Sequence, residues 1–436
     1  MTDSLLYVLG ILAVAVGIGF SIGLHELGHL LPAKLFGIKV PRYAIGFGPR
    51  LFSKQIGETE YSVRLIPLGG FITMIGMYVP SKPGQKEGQG FFSGMITSAR
   101  HAHEEHVGPG DESRMFYKLP VYKRLVIMFG GPFMNLILGT VLMSVAFSGI
   151  GVQQRSLTVG EVSQCVIFDP TIQQVCQESD PQSPAKVAGL AAGDKIVSYA
   201  GAPVADWQAL ADLMKTSVAA EIVVERSGKL VTLNITPATG LRGKVGSNGS
   251  LEVDADGKPI LISTPVLGIA LGTELRPLPL GTSLTQSAAS VGQVFDMIGH
   301  LPQQLTETAV ATFSGEPRKT SGAISIVGIG QIAGQVSSSE TASGLEKLST
   351  GLLILASLNF ALFAFNMLPL LPLDGGHIAG GVYEWIKRGI FKVLRKPAPG
   401  PVDTAILMPA TWFVFILLMA MSAVLIVADI INPISY

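Results

Sequence analysis

Apolar residues gather into four long runs divided by polar stretches: about Leu5 to Ala33, Leu125 to Ile150, Leu348 to Leu373 and Thr404 to Ile431. Each reaches the ~20 residues that a helix needs to cross the hydrocarbon core of a bilayer. The pattern predicts a polytopic α-helical membrane protein with four transmembrane helices. Two other apolar runs, Pro265–Gly272 and Ala323–Gly334, are short and glycine-rich. Neither is expected to span, and the second has the length of a re-entrant segment. The first run opens MTDSLL, without the basic residues of a secretory signal, and is expected to be retained.

Between the spans the period changes. Arg50–Gln55, Glu60–Pro67 and Gly70–Ile75 are short runs punctuated by Gly57-Glu58 and by Leu68-Gly69-Gly70. Alternation in Tyr61-Ser62-Val63-Arg64-Leu65 predicts a membrane-associated β-hairpin or small sheet. Its free edge can hold an extended chain by backbone hydrogen bonds, or the hairpin only packs on the membrane surface. From Lys82 to Arg114 the chain is polar, and a solvated loop is expected there. After the second span, Ser183-Pro184-Ala185-Lys186 through Gly193-Asp194-Lys195 predicts a short helix and a strand, and Trp207 to Lys215 an amphipathic helix. Glu221–Glu225 and Leu230–Ile235 read as strands around Ser227-Gly228. This order resembles one bacterial PDZ domain, a module that binds an extended peptide by strand addition; a spacer without a ligand is the alternative. Residues 241–280 carry no second such signature, and Gly281 to Phe313 predicts amphipathic helices broken at Pro302.

The resulting divisions are 1–36, the first span; 37–80, the β region; 81–120, a polar loop; and 121–150, the second span. There follow 151–280, the PDZ-containing domain; 281–345, an amphipathic linker; 346–378, the third span; 379–403, a basic loop; and 404–436, the fourth span and C-terminus.

Charge orients this scheme. Lys34, Lys39, Arg42, Arg50, Lys54, Lys118, Lys123 and Arg124 lie between spans one and two, and Lys387, Arg388, Lys392, Arg395 and Lys396 between spans three and four. Basic loops stay in the cytoplasm. Both termini and the PDZ-like α/β domain are therefore expected outside it, with the protein in the bacterial cytoplasmic membrane. Composition agrees: 48% of the residues are hydrophobic and 14% charged, against about 25% charged in a soluble domain. Lys+Arg and Asp+Glu both total 31, which offers nothing to a nucleic acid. Cys165 and Cys176 are the two cysteines, and both fall in the external region. A disulfide is expected, worth about 2–3 kcal/mol for so short a loop; two free thiols are the alternative.

The chemistry sits in the first span, whose end reads His25-Glu26-Leu27-Gly28-His29. Histidines at i and i+4 share one helix face and can grip one metal ion, and Glu26 lies beside that face as a candidate general base. Ionisable groups in a bilayer are costly, about 2.5–3.5 kcal/mol for a charge at its centre. Three within five residues point to a site, and the expected activity is that of a metalloprotease cutting within the membrane. A catalytic zinc takes three protein ligands, so a third is needed at the same depth. Asp374, in Leu373-Asp374-Gly375-Gly376, ends the third run from the same side of the bilayer. A turn aspartate is its structural alternative. His377 is expected at the interface, and His101-Ala102-His103-Glu104-Glu105-His106 is expected to be a solvated stretch without a metal.

HELGH in the first span, Gly130-Gly131-Pro132-Phe133-Met134-Asn135 in the second and Asn366-Met367-Leu368-Pro369…Leu373-Asp374-Gly375-Gly376 in the third resemble the site-2 protease family, in its RseP-like bacterial branch. Ser321-Gly322-Ala323-Ile324-Ser325-Ile326 is similar to a stretch before the third span of that branch. A single PDZ domain is nearer to actinobacterial members than to the tandem arrangement. The resemblance implies that His25, His29 and Asp374 bind Zn2+, that Glu26 is the general base, and that Asn366, Pro369 and Pro372 position substrate. It implies single-span membrane substrates, of the anti-sigma-factor or signal-peptide-remnant kind, in regulated intramembrane proteolysis. The PDZ domain would take a peptide ligand. Two other classes compete: an inactive PDZ-bearing binding module, against which the intact Glu26 argues, and a membrane metal transporter. A transporter would repeat polar groups along a path, whereas these cluster at one depth.

Overall fold

The computed structural model describes residues 2–80, 90–104, 107–167, 175–177, 180–216, 219–244, 259–314, 318, 322–340 and 342–433. Helix α1 (Thr2–Leu35) leads into two long strands, β1 (Arg42–Ile56) and β2 (Thr59–Thr73). Then come α2 (Phe91–Glu104) and α3 (Val121–Ser144), the latter prolonged by a wider helical turn to Ile150. Next are β3 (Val152–Val162), α4 (Pro184–Ala188), β4 (Lys195–Tyr199), β5 (Ala202–Pro203) and α5 (Trp207–Thr216). Strands β6 (Ala220–Arg226), β7 (Lys229–Ile235), β8 (Ala238–Gly243), β9 (Leu261–Val266) and β10 (Ile269–Arg276) follow. The chain returns to helix in α6 (Leu280–Gly299), α7 (Leu301–Ser314), α8 (Ile326–Ser338), α9 (Gly344–Asn366), α10 (Asp374–Val393) and α11 (Met408–Ile431). Two units emerge: Val152–Arg276, and the remainder of the chain.

In the helical unit four segments are long and apolar enough to cross a membrane: Asp3–Leu35, Val121–Ile150, Gly344–Asn366 and Thr404–Ile431. Lipid is no poorer a solvent for leucine than another helix is, so packing relies on small residues and close backbones. Gly28 and Gly130 show it at the crossing of α1 and α3. A Cβ on Gly28 would lie 2.2 Å from the Gly130 carbonyl oxygen, and one on Gly130 2.1 Å from that of Gly28. Helix α9 closes against both. Phe360 fills the space left by Gly139, and the Asn359 amide donates to Ser21 Oγ at 2.9 Å. At the start of α3, Arg124 donates to Glu384 of α10 at 2.6 Å, and the Val402 backbone N–H caps the other Glu384 oxygen at 2.9 Å.

Strands β1 and β2 are longer than the three short expected runs and fold back on themselves. Tyr43 pairs with Tyr61 on one side and with Ile72 on the other. The segment Gly70–Thr73 therefore forms an outer edge, and Gly70 lies so close to α1 that a Cβ there would meet Ile22 at 2.8 Å.

The third span departs from its expected course. Its helix stops at Asn366, not at Leu373, and Asp374 opens the new helix α10. Pro369 and Pro372 lack the N–H that a continuing helix needs. The glycines after Asp374 let the intervening turn fold over the start of α10: a Cβ on Gly375 would lie 2.1 Å from the Leu368 carbonyl oxygen. The basic stretch 379–403 is consequently helical as far as Val393, and the polar stretch 81–120 contains α2. Glu105, His106 and the side chains of His101 to Glu104 lie outside the described residues. The apolar run Ala323–Gly334 becomes the start of α8, which packs on α1 where Gly334 meets Tyr7. Pro265–Gly272 is the end of β9 and the start of β10, joined at Gly268.

The second unit is built on an antiparallel sheet in the order β10-β3-β4-β6-β7, with β5 beside β4; β8 and β9 pair separately. Helices α4 and α5 cover a core that includes Leu157, Ile196, Tyr199, Leu210, Ile222 and Ile235. Ser183 caps α4 and Gly189 ends it at φ 80°. Asp194 then accepts from Arg226 Nε and Nη2, both at 2.7 Å, and from the Ala191 backbone at 2.9 Å. Cys165 and Cys176 are joined as a disulfide with a Cα–Cα distance of 5.9 Å.

Two expectations follow from this packing. Gly28→Ala should destabilise the bundle by about 1–3 kcal/mol, as overpacking does, read as a lower thermal midpoint of the detergent-solubilised protein. The hydrogen bond from Arg226 holds the Asp194 carboxyl below its ordinary range, against the opposing effect of burial. Its stabilisation is therefore present above pH ~4 and fades as pH falls through the lowered folded-state value. Amide-exchange protection of Ile196 and Ile222 should be lost in acid, and in Arg226→Gln that loss should begin at higher pH.

Candidate active site

Helix α1 carries His25 and His29 on one face, with their Nε2 atoms 3.3 Å apart. Asp374 enters from the first turn of α10, its Oδ2 at 3.2 Å from His25 Nε2 and 3.3 Å from His29 Nε2. Oδ2 nevertheless lies outside hydrogen-bonding geometry with either ring. His29 Nδ1 donates to the Ile127 carbonyl oxygen at 2.7 Å. In a neutral ring this leaves a lone pair on Nε2. The His29 lone pair and the Asp374 carboxylate oxygen thus face one another beside His25 Nε2 within a mostly buried site, an arrangement that is repulsive unless a cation or a proton lies among them. Ligands about 2.0–2.1 Å from a tetrahedral zinc ion stand about 3.3 Å from one another. The three observed separations fit that triangle, and among the described residues this is the one cluster of such side chains with metal-binding spacing.

Several glycines make the gathering possible. A Cβ on Gly131 would lie 2.2 Å from His29 Nε2, so this turn of α3 can pass the imidazole only as glycine. Gly375 and Gly376 let the proline turn sit against the helix that Asp374 begins. Glu26 is buried at 8% exposure and packs against the sheet edge, where a Cβ on Gly70 would lie 3.0 Å from its Cγ.

His25, Glu26, His29 and Asp374 line one cavity of about 630 Å³ together with Asn366, Pro372 and the edge residues Gly69 to Ile72. Asn366 also donates to the Leu362 carbonyl oxygen at 3.0 Å. Pro369 is not among the residues lining the cavity and acts at most through the turn it shapes. His377 stands apart from the three ligands, with its ring 6.2 Å from that of Tyr78 and beside a separate hollow near Arg124 and Glu384.

The wall also holds two residues that the family-like motifs contained without a role being assigned to them: Asn135 on α3 and Ile326 at the start of α8. Ile326 is held there through Asp429 of α11. This buried carboxylate accepts from the Ser325 backbone at 2.6 Å, the Gly328 backbone at 3.2 Å and Arg318 at 2.6 Å. The apolar character of 323–334 gave no sign of an ionic anchor 104 residues downstream of Ser325.

Comparison with known proteins agrees with this geometry. The model of peptidase family M50 matches residues 13–408. The chain is 31% identical over 462 residues to the zinc metalloprotease Rip1 of Mycolicibacterium smegmatis, covering 99% of each. It is 30% identical over 450 residues to Rip1 of Mycobacterium tuberculosis, again covering 99% of each. With the metalloprotease MmpA of Caulobacter vibrioides it shares 28% identity over 399 residues, 89% of this chain and 87% of the other. The chain belongs to peptidase family M50, the site-2 proteases, and is a zinc metalloprotease and an integral membrane protein.

Gly131→Ala tests the fit of the zinc site. Zinc per chain, measured on purified protein, should fall well below that of wild type, because the added methyl displaces the His29 ring.

Proposed function

We propose that this protein hydrolyses peptide bonds in or near the membrane-spanning segments of single-span membrane proteins, as a step of regulated intramembrane proteolysis in the bacterial inner membrane. The observation that carries this reading is the convergence of His25, His29 and Asp374 beside Glu26 in a cavity on a membrane-spanning helix. Those three residues would hold the zinc ion, which when bound supplies Lewis acidity toward water and toward the scissile carbonyl. Glu26, packed against Gly70 of the sheet edge, takes the proton of the attacking water and returns it to the leaving amine. Asn366 and Pro372 shape the wall against which the substrate lies.

A substrate helix hides its carbonyls in i→i−4 hydrogen bonds, so it must unwind before attack. The edge Gly69 to Ile72, on the wall of the same cavity, offers backbone partners to the unwound strand and lowers that cost. Substrates of the anti-sigma-factor or signal-peptide-remnant type suit this arrangement once their external domains have been removed. The unit Val152–Arg276 acts as a PDZ-like module that docks the newly exposed chain end, and its disulfide suits an oxidising, extracytoplasmic location. The basic residues between the first and second and between the third and fourth spans favour a site toward the cytoplasm.

Purified wild type should cleave a tagged single-span anti-sigma-type protein lacking its external domain, and a zinc chelator should stop it. Glu26→Gln should keep its zinc and lose activity by about 10²–10⁴-fold, the usual contribution of a general base. Full activity in a zinc-loaded Glu26→Gln protein would remove Glu26 from that role.

A further inference from the structure

Ile127, Gly131 and Asn135 follow one another at steps of four on α3 and so share a face. The first two serve His29, one by accepting from Nδ1 and the other by leaving room for the ring. Asn135 lies about 6 Å farther along the same face. Its side chain is completely buried, lines the cavity, and has no hydrogen-bond partner among the described residues for either Nδ2 or Oδ1.

Two other asparagines show how unusual that is. Asn359 is as deeply buried and leaves only Oδ1 unpaired, its Nδ2 being spent on Ser21 Oγ and the Leu355 carbonyl oxygen. Asn366, on the same cavity, donates to its own helix. Among the described residues Asn135 donates to nothing and accepts from nothing, although a buried polar group left unpaired costs about 1–3 kcal/mol. Nor does it hydrogen-bond a histidine of the site: His29 Nδ1 is held by Ile127, and His25 Nδ1 has no partner among the described residues. Asn135 thus carries an unspent donor and acceptor at the wall of the cavity.

An unwound substrate strand has a matching need. When a strand is added to the edge Gly69 to Ile72, only part of its backbone pairs with that edge. The groups that face away stay unpaired, and in the membrane each costs several kcal/mol. A carboxamide presents one donor and one acceptor in a plane, as a peptide group does. We propose that Asn135 is a positioning residue that clamps the substrate backbone: Nδ2 donates to a substrate carbonyl and Oδ1 accepts from a substrate N–H. This rests on the reading above that the cavity is a peptidase site whose sheet edge holds the substrate.

The test uses full-length protein, the trimmed single-span substrate named above, and Asn135→Leu, which keeps the side-chain size and removes the amide. Binding is measured in the Glu26→Gln background and turnover in the Glu26 background. The expected result is unchanged zinc content, an unchanged or raised thermal midpoint, and Kd and KM both raised about 10-fold, the worth of two hydrogen bonds. Asn135→Asp should be impaired too, since a carboxylate cannot donate. A lowered thermal midpoint together with lost zinc would make Asn135 structural and overturn the proposal. So would wild-type Kd and KM in Asn135→Leu, in which case the amide is satisfied by water. A wild type that binds no zinc or cleaves no trimmed substrate would instead defeat the reading beneath it.

Discussion

A lone pair of His29 and a carboxylate oxygen of Asp374 that face one another beside His25 repel, and the bundle is arranged around holding them there. His25 and His29 come for nothing from helix periodicity, whereas Asp374 must be delivered from 345 residues farther along the chain. Two contacts deliver it. The Arg124–Glu384 pair ties α10 to the near end of α3, and the glycine crossing of Gly28 and Gly130 ties α3 to α1. Both contacts lie at the end of the bundle where His25, His29 and Asp374 meet, so that triangle depends on packing that involves none of its members. The cation it fits offsets the repulsion, which makes the site a product of folding and metal together.

The same depth that makes the site costly makes it selective. Peptide bonds in a bilayer are protected by helix formation, and the cavity counters that protection with backbone partners. The proposed set is the strand edge Gly69 to Ile72, whose Gly70 also packs against Glu26. The proposed base and the proposed substrate rail therefore lie side by side on one wall of the cavity. The anchoring of α8 by Asp429 adds a second wall whose position depends on α11, so a helix without metal ligands also shapes the cavity.

Much of this was legible in the residues before any coordinates. Four spans follow from hydrophobic runs because the bilayer sets a length that composition alone can meet. HELGH offered two candidate ligands and a candidate base because i and i+4 always share a helix face. In the unit Val152–Arg276, α4, α5, β4, β6 and β7 were marked by turn residues such as Ser227-Gly228 and by the cap Ser183, whereas β3 was not read. The end of the third helix was misplaced, since hydrophobicity continues through Leu373 while the missing amide hydrogens of Pro369 and Pro372 do not permit helix. The sheet was seen as three short runs, because a strand that pairs on both of its sides looks no different locally from one that pairs once.

What sequence alone determined was local and periodic: which segments can span, which residues share a face, and which residue types can bind zinc. What tertiary structure decided was every relation between distant segments. It set the separations of Asp374 from the two histidines, the need for glycine at positions 28, 130 and 131, the edge beside Glu26, and the unpaired amide of Asn135. The physical reason is range. Periodicity and propensity act over a few residues, whereas close approach, burial and the pairing of polar groups are fixed only when helices far apart in the chain meet.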